Sequence, residues 1–171
     1  INDAGLLCEQ NYGISPDVKI ENKQNVEMTY VSSHLYYIFF EIIKNSMRAV
    51  CETHKNNMDN LPKINVVIVG NDDSKQVTIK ISDQGGGISS NNMKKIWYYA
   101  FTTVKRNVSD SFDDIRDAPM AGFGYGLPLA RLYARSLKHG LPGFSGGDLE
   151  IVSMDGYGTD AFIYLDWIKL T

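Results

Sequence analysis

Residues 122–126, Gly-Phe-Gly-Tyr-Gly, alternate three glycines with two aromatics and lead straight into Leu127-Pro128-Leu129-Ala130-Arg131-Leu132-Tyr133-Ala134-Arg135. Glycine lets a backbone turn tightly and come close to a ligand. Pro128 suits the first turn of a helix, where its missing N–H costs nothing. A flexible loop feeding a helix N-terminus is an anion site, because unpaired N–H groups and the helix dipole point the same way. This stretch could cradle a phosphate; a glycine-rich turn before a core helix is the alternative. A second stretch, Ser82-Asp83-Gln84-Gly85-Gly86-Gly87-Ile88, sets a carboxylate at a strand tip before three glycines. Ordered glycines lose much conformational entropy. The chemical use would be a carboxylate that accepts a hydrogen bond from a ligand lying on bare backbone. A long turn with Asp83 as its cap is the alternative. Third, Glu41, Asn45 and Arg48 fall at i, i+4 and i+7, on one face of a helix. Charged and amide groups rarely sit on a mostly buried helix without partners; a solvated edge with a Glu–Arg pair is the alternative.

The elements that must position these groups follow from periodicity. Residues 2–11 read as a helix, ended by Ser15-Pro16, and Val18–Ile20 as a short strand. Met28–Val31 is also extended in character. Leu35, Ile38, Phe39, Ile42, Ile43, Met47 and Val50 predict a helix over 34–54 buried on much of its surface, with Ser32 and Ser33 as caps. Ile64–Val69 and Val77–Ser82 read as a hairpin, the second with strict alternation. Asn91 and Asn92 would cap a helix running to about Tyr99. Residues 104–121 carry many charges and little apolar content, as a lid or binding loop would. A helix over about 126–138 and strands at Asp148–Met154 and Asp160–Trp167 close the chain. This order predicts an α+β two-layer sandwich, with helices on one face of a mixed, mainly antiparallel sheet.

Composition bounds the rest. With 171 residues, 43% hydrophobic and 22% charged, the chain fits one globular domain, residues 1–171. A net charge of −3 offers no footprint for nucleic acid or an anionic membrane. Cys8 and Cys51 lie in no Cys-x-x-Cys or Cys/His cluster, which disfavours a disulfide scaffold or structural zinc. No stretch approaches the roughly 18 apolar residues of a membrane span. With no initiating Met and a start that reads as the end of a helix, the chain is expected to be a domain excised from a larger protein. There is no Gly-x4-Gly-Lys-Ser/Thr loop, no His-Arg-Asp and Asp-Phe-Gly pair, and no Gly-x-Ser-x-Gly elbow. His34, His54 and His139 show no ligand spacing.

Taken together, Glu41-x-x-x-Asn45, Asp83-x-Gly85-x-Gly87, Gly122-x-Gly124-x-Gly126 and Gly158-Thr159 resemble the signature boxes of the GHKL (Bergerat-fold) ATPases. In detail they are similar to the mitochondrial pyruvate and branched-chain α-ketoacid dehydrogenase kinases: Glu41–Val50 to that family's N box, Ile81–Ile88 to its G1 box, Ala121–Arg135 to its G2 box, and Ser153–Ala161 to its closing motif. The resemblance implies ATP and Mg²⁺, with K⁺ near a lid at 104–121. It makes Glu41 the general base and Asn45 the Mg²⁺ ligand, with Lys44 and Arg48 near the phosphates. Asp83 would take the adenine amino group, supported by Gly85, Gly87 and Thr159, and Thr102 and Thr103 would lie along the nucleotide. Gly122, Phe123, Gly124, Tyr125, Gly126 and Leu127 would wrap the β- and γ-phosphates. The implied reaction is phosphorylation of serine on the E1α subunit of a mitochondrial α-ketoacid dehydrogenase complex, chiefly the pyruvate complex, inhibiting it. A branched-chain kinase or a histidine-kinase catalytic domain is the alternative. The resemblance also implies a matrix location, a full-length homodimer, and contact with the E2 lipoyl domain through a helical domain absent here. Two departures stand out: Tyr37 where pyruvate dehydrogenase kinases usually carry His, and 138–145, which looks like an insertion.

Overall fold

The computed structural model describes residues 1–22, 24–71, 76–102, 123–136 and 146–166. The chain order is α1 (Asn2–Tyr12), β1 (Val18–Glu21), α2 (Ser32–Thr53), a 3₁₀ turn (Met58–Asn60), β2 (Ile64–Asn71), β3 (Gln76–Asp83), α3 (Ser90–Met93), α4 (Gly126–Ser136), β4 (Asp148–Met154) and β5 (Gly158–Asp166). The five strands form one sheet in the order β1-β2-β3-β5-β4. Only β1 and β2 run parallel; β2–β3, β3–β5 and β4–β5 are antiparallel. A parallel pair needs a long crossover, and α2 supplies it. This is the expected mixed, mainly antiparallel sheet with helices against it.

Alternation decides which sheet face is buried. Along β3, Val77, Ile79, Ile81 and Asp83 are buried while the residues between them are half-exposed. The same period in β2, β5 and β4 points Ile64, Val66, Ala161, Ile163, Leu165 and Leu149 into one core. From the other side, α2 contributes Ile38, Ile43, Met47 and Val50. α4 contributes Ala130 and Ala134, one helical turn apart and both fully buried, so their small side chains let it lie close. α1 adds Ala4 and Cys8. Among the described residues no helix is long and apolar enough to cross a membrane.

Three local expectations need correction. Ser32 and Ser33 do not cap α2: both lie in its first turn, and the extended Val31 is the N-cap, without a side-chain hydrogen bond. Tertiary packing of a 22-residue helix outweighs a missing cap. The helix expected from Asn91 to Tyr99 stops at Met93. Beyond it Lys95 N–H bonds Asn92 O and Tyr98 N–H bonds Lys95 O, so the chain advances by successive turns and reaches Ala100 at φ 63. Burial of Ile96 and the sharp bend that follows override helical continuation. Met28–Val31 joins no strand. The expected lid at 104–121, Thr103, Gly122, the apparent insertion at 138–145 and Trp167 lie outside the described residues.

Cys8 and Cys51 are free thiols, 0% and 1% exposed, with their sulfurs 3.6 Å apart between α1 and α2. Burial first, then the hydrogen bond and charge of Cys51, pushes the Cys8 thiol up to about 12. At pH 8 its thiolate fraction is then roughly a thousandfold below that of an ordinary cysteine. Iodoacetamide should therefore label Cys8 far more slowly in the native chain than in the urea-unfolded chain. Mass-detected labelling at equal rates would contradict this buried pairing.

Candidate active site

A cavity of about 460 Å³ opens between the middle of α2, the tips of β3 and β5, the turn after Ala100 and the start of α4. It falls within the usual size range for small-molecule sites. Of the residues singled out by sequence, Glu41, Asn45, Arg48, Asp83, Gly85, Gly87, Thr102, Gly124, Gly126, Leu127 and Thr159 line it. The i, i+4, i+7 face of α2 thus looks inward, as its periodicity required.

At one end Asp83 closes β3 and faces Thr159 across the β3–β5 ladder. It is 8% exposed. Its Oδ2 accepts from Ser46 Oγ at 2.8 Å, and its Oδ1 accepts from Gly85 N–H at 2.9 Å and from Thr159 N–H at 3.2 Å. Burial raises its pKa above the ordinary aspartate value, although these three donors oppose the shift and Asp160 adds to it. A carboxylate offers about four acceptor positions. Three donors leave capacity for one more, and the remaining approach is from the cavity. Thr159 Oγ1 shares a hydrogen bond with Ser153 Oγ at 3.0 Å, and Ser153 Oγ also accepts from Ile88 N–H at 2.8 Å, tying the glycine loop to β4.

The glycines after Asp83, two of which line the cavity, also serve the packing of the fold. A side chain on Gly85 would run into the Ala49 side chain and backbone of α2, and one on Gly87, at φ 72, would meet the Met154 carbonyl. The loop is bare so that it can wedge between α2 and the β4–β5 turn. Thr53 Oγ1 donating to Gly85 O at 2.9 Å, and Gly156 N–H donating to Gly86 O at 2.8 Å, hold it there.

At the other end Glu41 is 9% exposed. Its Oε1 accepts from Lys44 Nζ at 2.8 Å, and its Oε2 lies against Gly126, where any side chain would displace it. Lys44 is 5% exposed and supplies the countercharge a buried carboxylate needs. Lys44 does not line the cavity: Glu41 and the Phe40 ring, 5.3 Å away, take up its ammonium. Phe123 and Tyr125 are also off the cavity wall and exposed, Tyr125 resting 6.0 Å from the Tyr99 ring. α4 starts at Gly126, so the N–H groups of Gly126 and Leu127 have no acceptor within the helix. Arg48 lies 3.8 Å from Glu52 through Nε, an atom that is buried without a hydrogen bond. Tyr37, one turn before Glu41, packs edge-on to Tyr133 at 5.0 Å; burial and the Glu41 charge push its phenol up.

Among the described residues no three His, Cys, Asp or Glu side chains cluster as a metal cage. The Asn45 amide oxygen, on the cavity wall, could serve a hard cation as one donor, with water and ligand oxygens filling the rest of the shell. Such a shell suits Mg²⁺, which keeps much of its water and favours phosphate oxygens.

Sequence reasoning missed Ser46, Thr53 and Ser153, which orient Asp83, Gly85 and Thr159. Ser46 is a polar residue on a mostly buried helix, which was a signal. Its partner lies 37 residues away and was not legible.

Residues 30–169 match the family described as histidine kinase-, DNA gyrase B-, and HSP90-like ATPase. Over 171 aligned residues the chain is 46% identical to the mitochondrial pyruvate dehydrogenase (acetyl-transferring) kinase of Schizosaccharomyces pombe, covering 96% of this chain and 38% of that protein. It is 40% identical to the Arabidopsis thaliana protein of the same name, covering 95% and 43% respectively. It is 42% identical to human pyruvate dehydrogenase (acetyl-transferring) kinase isozyme 4, covering 94% and 37%. The chain thus spans about two fifths of the length of these curated relatives.

Proposed function

Because this chain belongs to the histidine kinase-, DNA gyrase B- and HSP90-like ATPase family, we propose that residues 1–171 are the ATP-binding catalytic domain of a mitochondrial protein kinase. Its substrate is a serine on the E1α subunit of the pyruvate dehydrogenase complex, which phosphorylation inhibits. The observation that carries the reading is Glu41 and Asn45 on the same cavity as the Asp83–Thr159 pair, in a chain 40–46% identical to three proteins named as such kinases. A histidine kinase would share the Asp83 end. The relatives' names favour the pyruvate complex over the branched-chain one.

The residues divide the work. Asp83 accepts a hydrogen bond from the adenine amino group, and Thr159 N–H fixes Asp83. A buried acceptor of this kind discriminates strongly against a base without the donor. Gly126 and Leu127 present N–H groups to phosphate oxygens at the positive end of α4. Bound Mg²⁺, held through the Asn45 amide oxygen, would neutralise charge on the transferred phosphoryl group. Glu41 orients the acceptor serine and takes its hydroxyl proton at Oε2, while Lys44 holds Oε1. The serine oxygen bonds the γ-phosphorus as the β–γ bridging bond breaks, leaving ADP. The family resemblance further implies K⁺ near 104–121, a matrix location, a homodimer, and E2 lipoyl-domain contact through a helical domain that this chain does not include.

The test is transfer of label from γ-labelled ATP by the full-length protein to purified E1 of each complex. Serine phosphate on pyruvate E1α is expected. Label confined to branched-chain E1, or acid-labile phosphohistidine on the kinase itself, would overturn the reading.

A further inference from the structure

We infer that Arg131 is a positioning residue that sets the spacing of two cavity walls, residues 96–102 and 124–128. The inference rests on reading the cavity as a nucleotide site. Arg131 does not line the cavity; it sits behind the wall, on α4. Its Nε donates to Asp148 Oδ1 at 2.9 Å and its Nη2 to Oδ2 at 3.3 Å, while its guanidinium lies over the Trp97 ring at 4.3 Å. One side chain therefore joins α4, β4 and the turn between α3 and Ala100.

The Asp148 bond alone cannot explain Arg131. Arg135 forks the same carboxylate at 2.8 and 2.8 Å, and Leu149 N–H also donates to it at 2.8 Å. Burial would raise Asp148, but these donors hold its carboxyl well below the usual carboxylate range. α4 is thus pinned to β4 with or without Arg131. What Arg131 adds is Trp97, whose neighbours Ile96, Phe101 and Thr102 form the first wall.

The front of the same junction shows why the spacing needs holding. Gly124, at φ 79, meets Ala100 and Phe101 backbone so closely that an added Cβ would fall 2.5 Å from Ala100 C and Phe101 O. Ala100 is itself left-handed at φ 63, a conformation that persists in a non-glycine residue only when its surroundings impose it. Gly124 in front and the Trp97–Arg131 stack behind clamp this bend. Stacking on an aromatic face needs the planar guanidinium.

The experiment measures Mg-ADP affinity by calorimetry and Trp97 emission in a Trp167→Phe background, where Trp97 is the one tryptophan left of two. Arg131→Leu and Trp97→Leu should each weaken Mg-ADP by about tenfold, the double variant no further, and Trp97→Phe should restore affinity. Arg135→Leu should stay within about twofold, because Arg131 still holds Asp148. Trp97 emission should shift in Arg131→Leu and not in Arg135→Leu. Additive losses, or an Arg131→Leu affinity equal to the unsubstituted chain's, would overturn the inference. Failure of the unsubstituted chain to bind Mg-ADP would instead overturn the nucleotide reading, and the inference with it.

Discussion

Glu41→Gln is expected to lower kcat for serine phosphorylation by roughly 10²–10⁴-fold, the usual share of general-base catalysis, while Mg-ATP affinity stays within a few-fold. The geometry separates the two effects. Glu41 Oε2 faces the start of α4, where the phosphoryl group must enter, whereas the adenine-end carboxylate belongs to Asp83. Glutamine keeps the volume beside Gly126 and loses the proton acceptor. It also removes the partner of Lys44, whose ammonium is 2.8 Å from Oε1 and buried. An uncompensated buried charge costs about 3–5 kcal/mol, so Glu41→Gln alone could act through stability. Pairing it with Lys44→Met removes the whole ion pair. A folded double variant that binds Mg-ATP and remains slow assigns the loss to the missing base. Unchanged kcat in either variant would remove Glu41 from that role.

Asp83→Asn should weaken ATP by about 100-fold or more, as expected when a buried charged acceptor is lost from a ligand hydrogen bond. Asparagine is preferred to alanine as the test. Alanine would strand Ser46 Oγ and the N–H groups of Gly85 and Thr159, each a donor with a buried partner to lose. Asparagine keeps an oxygen for the two N–H donors and can turn its amide towards Ser46. Calorimetry showing near-normal ATP affinity would contradict the assignment. The same site predicts a pH dependence. Burial raises the Asp83 pKa, so on acidification it gains its proton, and ceases to be a free acceptor, at a higher pH than an exposed aspartate. ATP affinity should fall through that range. A carboxyl whose folded pKa lies above its unfolded value binds protons preferentially in the native state, so this titration stabilises the fold as pH falls. Loss of binding there would not be unfolding driven by Asp83.

Much of this site was legible residue by residue. The 3.6-residue period of Leu35, Ile38, Ile42, Ile43, Met47 and Val50 defined α2 and forced Glu41, Asn45 and Arg48 onto a common face, all three of which line the cavity. Period-two alternation defined β3 and left Asp83 at its tip. Those patterns are local, because a helix or strand presents faces at fixed offsets whatever it packs against. Local signals failed where tertiary contact overrode them. Asn91 and Asn92 promised a longer helix, but the chain bends at Ala100 to bring Phe101 and Thr102 to the cavity. Lys44, near Asn45 in sequence, turns back to Glu41 rather than lining the cavity.

By itself, then, the sequence determined the long helices and the main strands, the polar face of α2, the carboxylate at the strand tip and the family motifs. Only the tertiary structure decided who holds whom. The glycines at 85 and 87 make room for the chain's own Ala49 and Met154, Ser46 reaches Asp83 across 37 residues, and Thr159 N–H reaches it across 76. The physical reason is that hydrogen bonds and close packing depend on distances set by how sheet and helices dock. No periodicity along the chain encodes those distances. The glycines at 124 and 126 show the same division: their spacing marked a ligand loop, but the fold alone set one against the Ala100 bend and the other against the Glu41 carboxylate.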